Sequence, residues 1–568
     1  MLGRVTPNSM VSSSLLKRSI GLETEYAVIF RAAEGVQSFP SRRMVYQSIC
    51  DAISAEQPTA PGRFGTSQLF LANGGAVSHE NSVANDSLPG GLVEGATPEV
   101  SSPETLLNCQ RAQDRMFRRA AEKCKVDRPI RLLKNSCDAV GHVYGCQENY
   151  EATVASGLRL FCFRVGILAL LPLQAVYMLV VFVLFATAGT VVALGTYLKR
   201  FFAGGSAGEE RVSGQLPPPI LGMLVFALRL VQTPLVFLLT LLIRAFVFRP
   251  QRRHLSAFLA SRIALTGSGY VDRRGKFWLS PKALAIDCMT AMGGYRGERP
   301  VFVFGHWLEQ MCGQTFFGLD AMKRLLQRRQ RLQIGLSDSN ISDTAEYLKV
   351  ATTCLVLDMI ESDGPLQSLP RLRHPLKALL SLTRDWHLIA RVPTTRGQMS
   401  ALEIQTCYLR ACRAFVASQG EAAPAESHRI LSLWEETLDA LWSYRVDPRQ
   451  IVPLLGRVDW ATKRWMLDQL SPSAPWEVRK KVDLKYHELS DDGYAAKVAL
   501  VDGSVRLTDE GQIERAGRLA PGESRASRRG HWIREFGGSE QTLRVSWSHV
   551  VVGKGQDRRV FALDRAEE

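Results

Sequence analysis

No two of the eleven cysteines stand in Cys-x-x-Cys spacing, and none joins a histidine at zinc-finger distances. The thiols are spread from Cys50 to Cys412, which argues for reduced side chains in a cytoplasmic catalytic part. An apolar block is also missing between Met1 and the pair Lys17 and Arg18, so no cleaved signal is expected. Acids are scarce relative to bases, 55 against 70, which leaves a net charge of +15 and a pI near 9.4. The excess is scattered. Its densest cluster, KRLLQRRQR at Lys323 to Arg331, has no interleaved aromatics of the kind that stack bases. That stretch reads as a solvated helix face, and nucleic acid is not expected as a partner. A basic surface also suits anionic lipid headgroups or an acidic protein. With 46% apolar and 22% charged residues the chain is a folded one, long enough for two or three domains.

Charge is absent altogether from Val165 to Leu198, and Ile220 to Phe248 carries only Arg229 and Arg244. A bilayer core of roughly 30 Å takes about 20 apolar residues of helix, so each run is long enough to cross it. Lys199 to Pro219, rich in Gly and Ser, links them. The pattern predicts a helical hairpin that enters a membrane through residues 165–198 and returns through 220–248. Arg159, Arg164, Arg244, Arg249, Arg252 and Arg253 flank its outer ends, against Lys199, Arg200 and Arg211 in the link. That balance places both outer ends in the cytoplasm. Pro172 and Pro234 fall inside the runs and can kink them or make them re-entrant.

Around the hairpin the chain reads as mixed α and β. SIGLETEYAVIF, from Ser19, alternates as a strand, with Glu23 and Glu25 on one face and Leu22 and Thr24 on the other. Two acids on one side of a strand are costly to bury unless a cation meets them; the other reading is a solvent-facing edge strand. A helix is expected over Ser41 to Ala55, and Asn73-Gly74-Gly75 marks a tight turn. Glu94, Thr97 and Glu99 gather just before a helix starting near Pro103, where they can bind a metal or nucleotide or simply cap the helix. That helix, Glu104 to Lys123, is rich in Arg and Lys and is expected to pack at the surface. KNSCDAVGHVYGCQENY, from Lys134, is too dense in functional groups for an ordinary hairpin. Ser and Asp caps precede the long helix in NISDTAEYLKVATTCLVLDMIES. Helices joined by Pro-containing loops follow, then a charged module from about Ser471 with a β-like LRVSWSHVVV.

GLETEYAV, KNSCDAVGHVYGCQENY and SDSNISDTAEYLKVATTCLVLDMIES resemble, in order, three blocks of the Pup ligase and Pup deamidase family. Shorter matches continue in SALEIQ, LWEETLDAL, VDWATKR, DLKYHE, SRASRRG and VSWSHV, so the resemblance spans nearly everything except about Leu158 to Arg253. It implies an α+β fold of the glutamine-synthetase-like carboxylate–amine ligases: an antiparallel sheet cradle with helices and a small C-terminal domain. The hairpin becomes an insertion, giving units at 1–157, 158–253, 254–470 and 471–568. It also implies ATP and Mg²⁺ as cofactors and a Pup-like modifier and lysine-bearing proteins as partners. In the ligase, ATP phosphorylates the C-terminal glutamate of Pup, and a substrate lysine then attacks to form an isopeptide bond. A mixed anhydride supplies the leaving group that a bare carboxylate lacks.

By the same resemblance Glu23 and Glu94 match metal-binding glutamates, Thr97 a nucleotide-contacting threonine, Trp547 a tryptophan that contacts ATP, and Glu80 the catalytic carboxylate base. Departures accompany these matches. The family's Asn-Gly-Ala-Arg-Leu-Tyr-Leu-Asp reads Asn73-Gly74-Gly75-Ala76-Val77-Ser78-His79-Glu80, so Ala76 replaces an ATP-binding arginine and Ser78 a metal-binding tyrosine. SVANDSLP is inserted before Gly90, His-Glu-Asn-Tyr has become Gln147-Glu148-Asn149-Tyr150, and the Thr-Arg-Asp-Glu-Pro-His block has no counterpart in RPVFVFGHW at Arg299 to Trp307. The stretch between Phe30 and Asn73 has the shorter, ligase-like length, which favours a ligase over a Pup deamidase. The alternative in a different class is a catalytically degenerate, membrane-anchored scaffold.

Overall fold

The protein was analysed as a computed structural model. It describes residues 15–30, 39–63, 67–80, 88–126, 128–202, 218–294, 297–312, 319–362, 364–498, 506–520, 522, 524–538 and 542–563. Most of the SVANDSLP insertion, most of the hairpin link and nearly all of the stretch before Leu16 lie outside the described residues.

A ten-stranded sheet is the frame. Its strands are β1 (Ile20–Phe30), β2 (Thr59–Pro61), β3 (Gln68–Leu71), β4 (Ala76–Glu80), β5 (Leu92–Ala96), β6 (Ile130–Leu133), β7 (Gln147–Thr153), β10 (Cys288–Ala291), β11 (Pro300–Val303) and β12 (Arg329–Ile334). Small pairs add β8 (Tyr270–Val271) with β9 (Phe277–Trp278) and β13 (Arg391–Thr394) with β14 (Gly397–Ser400). The main order is β10-β11-β12-β7-β1-β5-β4-β3-β2, with β6 also on β1, and every pair is antiparallel except β10 with β11. β1 is central because its alternation serves two faces: Leu22, Thr24, Tyr26 and Val28 are buried, while Glu23 and Glu25 are half-buried on the other side.

The helices of the first half are α1 (Arg42–Ser54), α2 (Pro103–Lys123), α3 (Gly157–Ala169), α4 (Leu171–Phe202), α5 (Pro218–Phe246), α6 (Arg249–Thr266), α7 (Pro281–Ala285), α8 (Gly305–Cys312) and α9 (Leu319–Leu325). Those of the second half are α10 (Asp343–Glu361), α11 (Pro375–Thr383), α12 (Ala401–Ser418), α13 (Ala425–Val446), α14 (Asp459–Asp468), α15 (Trp476–Tyr486), α16 (Tyr494–Val498), α17 (Glu510–Arg518) and α18 (Arg525–Phe536). Ser102 caps α2 by accepting from the Thr105 amide, 3.3 Å away, so the acids before it are not the cap. The surface reading of α2 is corrected: Leu106, Leu107, Gln110, Gln113 and Phe117 are buried, and Arg111 turns inward to pair with Asp114 and Asp343, leaving the other basic residues on its outer side. Gln110, Gln113 and Asp114 bond to β1 and β5, with Tyr26 Oη donating to Asp114 at 2.7 Å. Gly95 is required there, since a Cβ would press into Gln113 and Phe117.

The polar block from Lys134 is largely internal scaffolding. Lys134 Nζ meets Glu346 at 2.8 Å and Asp114 at 3.0 Å, and Lys349 Nζ meets the other oxygen of Glu346 at 2.6 Å. Lys134 and Lys349 are fully buried. Burial pushes the Glu346 carboxyl up, but Lys134, Lys349 and Arg111 outweigh it and hold the group at about 2.

The hairpin leaves and re-enters the domain at one point. Phe248, in the left-handed region at φ 48°, donates its amide to the Val154 carbonyl at 2.8 Å, and Gln251 reaches the Thr153 carbonyl at 2.8 Å. Deeper along α6, buried Arg262 grips Glu148 of β7 at 2.6 Å. Beyond that base α4 and α5 expose large apolar side chains, Phe182 and Phe226 among them, and both spans pass for membrane helices by length and composition alone. Pro172 sits in the first turn of α4, where a missing N–H costs nothing, and Pro234 lies inside an unbroken α5. At the other end of the chain β15 (Leu543–Val545), β16 (His549–Val552) and β17 (Arg559–Ala562) form a small sheet with α18 beside it, docked on β2 and β3.

Replacing Glu346 by Gln leaves two buried lysines short of a counter-charge, a loss on the order of 3–5 kcal/mol. Because its folded-state pKa is depressed, its contribution is full above the unfolded value and fades as pH falls towards about 2. Urea melts at several pH values are expected to show the wild-type and E346Q curves converging in acid; a constant gap would refute the ion-pair account.

Candidate functional site

The open face of the sheet collects acids by register. Glu25 on β1 lies directly across from Glu94 on β5, and Glu94 lies across from Ser78 on β4. Glu23 is two residues along β1, and Glu80 is two residues along β4 from Ser78, so period-2 alternation puts all five side chains on one face. Three of the residues identified from the sequence, Glu23, Glu80 and Glu94, are therefore brought together.

Their electrostatics are unfavourable as they stand. Burial and then the charges of Glu23, Glu25 and Glu80 push Glu94 well above the usual carboxylate range, with Arg331 opposing. Burial and Glu25 push Glu80 up to about 7. Glu25 is raised by burial, against the pull of Lys282 and a 2.9 Å hydrogen bond from the Gly145 amide. A carboxyl near 7 is poised to exchange protons at neutral pH. The cluster as a whole favours an added cation.

Magnesium fits in charge and donor type. Among the described residues no group of three His, Cys, Asp or Glu is arranged to hold a metal by itself. Magnesium takes only one or two carboxylates and completes its shell with waters and substrate phosphates, which this face allows.

Arg331 and Gln333 were not anticipated as site residues. Lys323 to Arg331 is not one helix face: α9 ends at Leu325, and β12 begins at Arg329. Arg331 Nη2 reaches Glu23 at 2.7 Å and its Nε reaches Asn149 at 2.7 Å, while Gln333 reaches Glu23 at 3.3 Å and also bonds Gln147. The signal was the alternation of Arg329, Arg331 and Gln333 with Leu332 and Ile334. His306 on α8 completes this edge. Both its ring nitrogens are buried without a hydrogen-bond partner, and burial together with Arg331 keeps the imidazole neutral.

Thr97 and Trp547 stand apart from the acids. Thr97 is buried, and its hydroxyl accepts from the Leu22 amide at 3.0 Å, a lock between β1 and the turn after β5. Trp547 packs edge-on against Phe70 with centroids 5.3 Å apart, under the guanidinium of Arg529 at 4.6 Å. Buried Arg529 also bonds Glu99 and the Gly74 carbonyl, so Glu99 fastens the C-terminal module. Ala76 is fully buried in the apolar cluster of Phe70, Ile533, Val545 and Val550.

Without a divalent cation, Glu94→Gln removes like-charge repulsion and is expected to raise the melting temperature, by an amount equivalent to roughly 1 kcal/mol. The raised carboxyls favour the fold while protonated, so wild-type stability should fall as pH rises through about 7, and the variant's less so. Magnesium should stabilise the wild type more than E94Q. Calorimetric scans at pH 6 and 8, with and without Mg²⁺, check this; a destabilised apo variant would contradict it.

The family model described as Pup-ligase protein matches residues 18–551. A Pup–protein ligase of Acidimicrobium ferrooxidans is 31% identical over 246 residues, 42% of this chain and 52% of that protein. One from Nakamurella multipartita is 29% identical over 244 residues, 42% of this chain and 52% of its own. The chain thus spans about half the length of the curated relatives it matches. Among solved structures, the ligase PafA in complex with Pup superposes with a TM-score of 0.64 at 19% identity, covering 96% of this chain and 89% of that one. PafA with ADP superposes at 0.57, also at 19% identity, covering 94% and 92%. The mixed α+β architecture with its mostly antiparallel sheet is that of these structures.

Proposed function

The chain belongs to the Pup-ligase family, and from that membership we propose that it is an ATP-dependent Pup–protein ligase held on a membrane by its hairpin. The observation that carries the reading is the acid face, with Glu80 near neutrality at its rim and Glu94 between Glu25 and Ser78. In this reading Glu23 and Glu94 hold Mg²⁺, which when bound would neutralise charge on the transferring phosphoryl group. Glu80 accepts the proton of the attacking lysine ammonium at one carboxylate oxygen; deprotonation makes the amine a nucleophile. Arg331 fixes Glu23 and offers positive charge beside it. Thr97 and Trp547 border the nucleotide, Thr97 by fixing the turn after β5 and Trp547 through its ring at the edge of the C-terminal module. The GS-like cradle, the four-unit division and the cytoplasmic placement of both outer ends belong to the same reading.

A second reading has its own observation. Glu23 is already paired with Arg331 at 2.7 Å, and Ala76 leaves no cation on β4 for phosphates. Both favour a scaffold that binds the modifier or nucleotide without turnover. Purified protein with Mg-ATP, Pup and a lysine-bearing acceptor separates the two. ADP release and a Pup adduct are expected, with a drop of 10²–10⁴-fold or so in Glu80→Gln. Release no faster than from Glu80→Gln would remove the ligase reading, and glutamate-generating turnover of a glutamine-ended Pup would indicate the deamidase instead. For the hairpin, protease added outside sealed inverted vesicles is expected to spare the link between Lys199 and Pro219 while cutting the catalytic part. Cleavage at the link would show that it does not cross.

A further inference from the structure

Where α5 meets α6, three guanidiniums gather, none in an ion pair among the described residues. Arg244 Nη2 donates to the Thr290 carbonyl at 3.2 Å, and Arg252 Nη1 to the Thr290 hydroxyl at 3.4 Å, so both converge on one residue of β10. The remaining Arg252 donors go to the carbonyls of Val247, Ile243 and Arg244 at 2.9, 3.1 and 2.9 Å. Arg249 stands exposed in the first turn of α6. Among the described ion pairs, no carboxylate faces any of the three. Burial, and after it the charges of Arg244 and Arg249, push Arg252 down to about 10. The end of α5 offsets them with only about half a negative charge against three positive ones.

The surroundings identify what supplies the missing anion. Phe237, Leu241 and Arg244 follow one stripe of α5 at helical spacing, and Phe237 and Leu241 are 58% and 46% exposed. On α3 a second exposed stripe, Leu158, Phe161, Val165 and Leu168, reaches down to the domain surface. Apolar surface therefore gives way to cationic surface within a turn, as it does where hydrocarbon meets headgroups. A soluble anion explains the charge but not the apolar stripes, whereas a lipid explains both.

We propose that Arg244, Arg249 and Arg252 bind the phosphate of an anionic phospholipid at the foot of the hairpin, seating the catalytic domain against the bilayer. This rests on the membrane reading of the hairpin.

The full chain, made cell-free with vesicles of equal phosphatidylcholine and phosphatidylglycerol, is floated, extracted in mild detergent and its retained lipid quantified. Phosphatidylglycerol is expected to be enriched, and R249Q, at a site with no hydrogen bond or ion pair among the described residues, to lower the enrichment about fivefold. The charge-keeping triple lysine variant should retain most of it, and R244Q/R249Q/R252Q should fall to the input ratio. Equal ratios in wild type and R249Q overturn the proposal while flotation itself upholds the hairpin. Failure to float on any vesicle removes the membrane reading and the proposal with it. Loss of enrichment on adding inorganic phosphate would also overturn it, by assigning the arginines to a soluble anion.

Discussion

Like charge on one face of β1 is the constraint to which much of the architecture answers. Glu23 and Glu25 point away from the helices because Leu22, Thr24 and Tyr26 must point towards them. The neighbours then add Glu94 and Glu80 to the same side instead of diluting it. Cations come from distant parts of the chain: Arg331 from β12, and Lys282 from α7. These offset the acids only in part, since Glu94 and Glu80 remain raised. A fold that holds such a face must secure it elsewhere, and the buried Lys134, Glu346 and Lys349 set, together with the apolar packing of α6 and α10, does so from behind.

The insertion is tolerated because its two ends are a single hydrogen bond apart, Phe248 to Val154. It is nevertheless not mechanically separate. Phe163 of α3 packs on Trp307 at 5.4 Å, and Phe248 stacks on Phe304 at 6.1 Å. Trp307 is the neighbour of His306, whose ring lies near Arg331, the partner of Glu23.

Much of the frame was legible from residues alone. The alternation of β1, the helix beginning near Ser41 and the Asn73-Gly74 turn each carry a local signal, and each is where it was expected, whereas α10 is capped by Ser342, inside the stretch read as helix. Two misreadings share one cause. In α2 and in Lys323 to Arg331 abundant base suggests solvent, although Arg111 turns inward to Asp343 and Arg331 reaches Glu23. Arg331 is the instructive one. Its partner Glu23 is remote in sequence, and a long-range ion pair leaves no periodic trace in either segment. The same applies to Arg529 and Glu99, which looked like a helix-capping acid until α18 was seen to reach it.

Ala76, where the resemblance would place an arginine, has a steric setting of its own. Ala76 is fully buried under the C-terminal module, whose Ile533, Val545 and Val550 close over Phe70 and the alanine methyl. A larger side chain at that position would have to pass between this cluster and the acids two residues along the strand. Gly74 tightens the same seam, since a Cβ there would collide with the Ala526 carbonyl of α18. Positive charge at this end of the sheet comes instead from Arg529, which is fully buried and held by Glu99, the Gly74 and Trp547 carbonyls, and the faces of Phe70 and Trp547. With its donors committed in this way, Arg529 serves the seam, and the acid face draws its positive charge from Arg331 and Lys282.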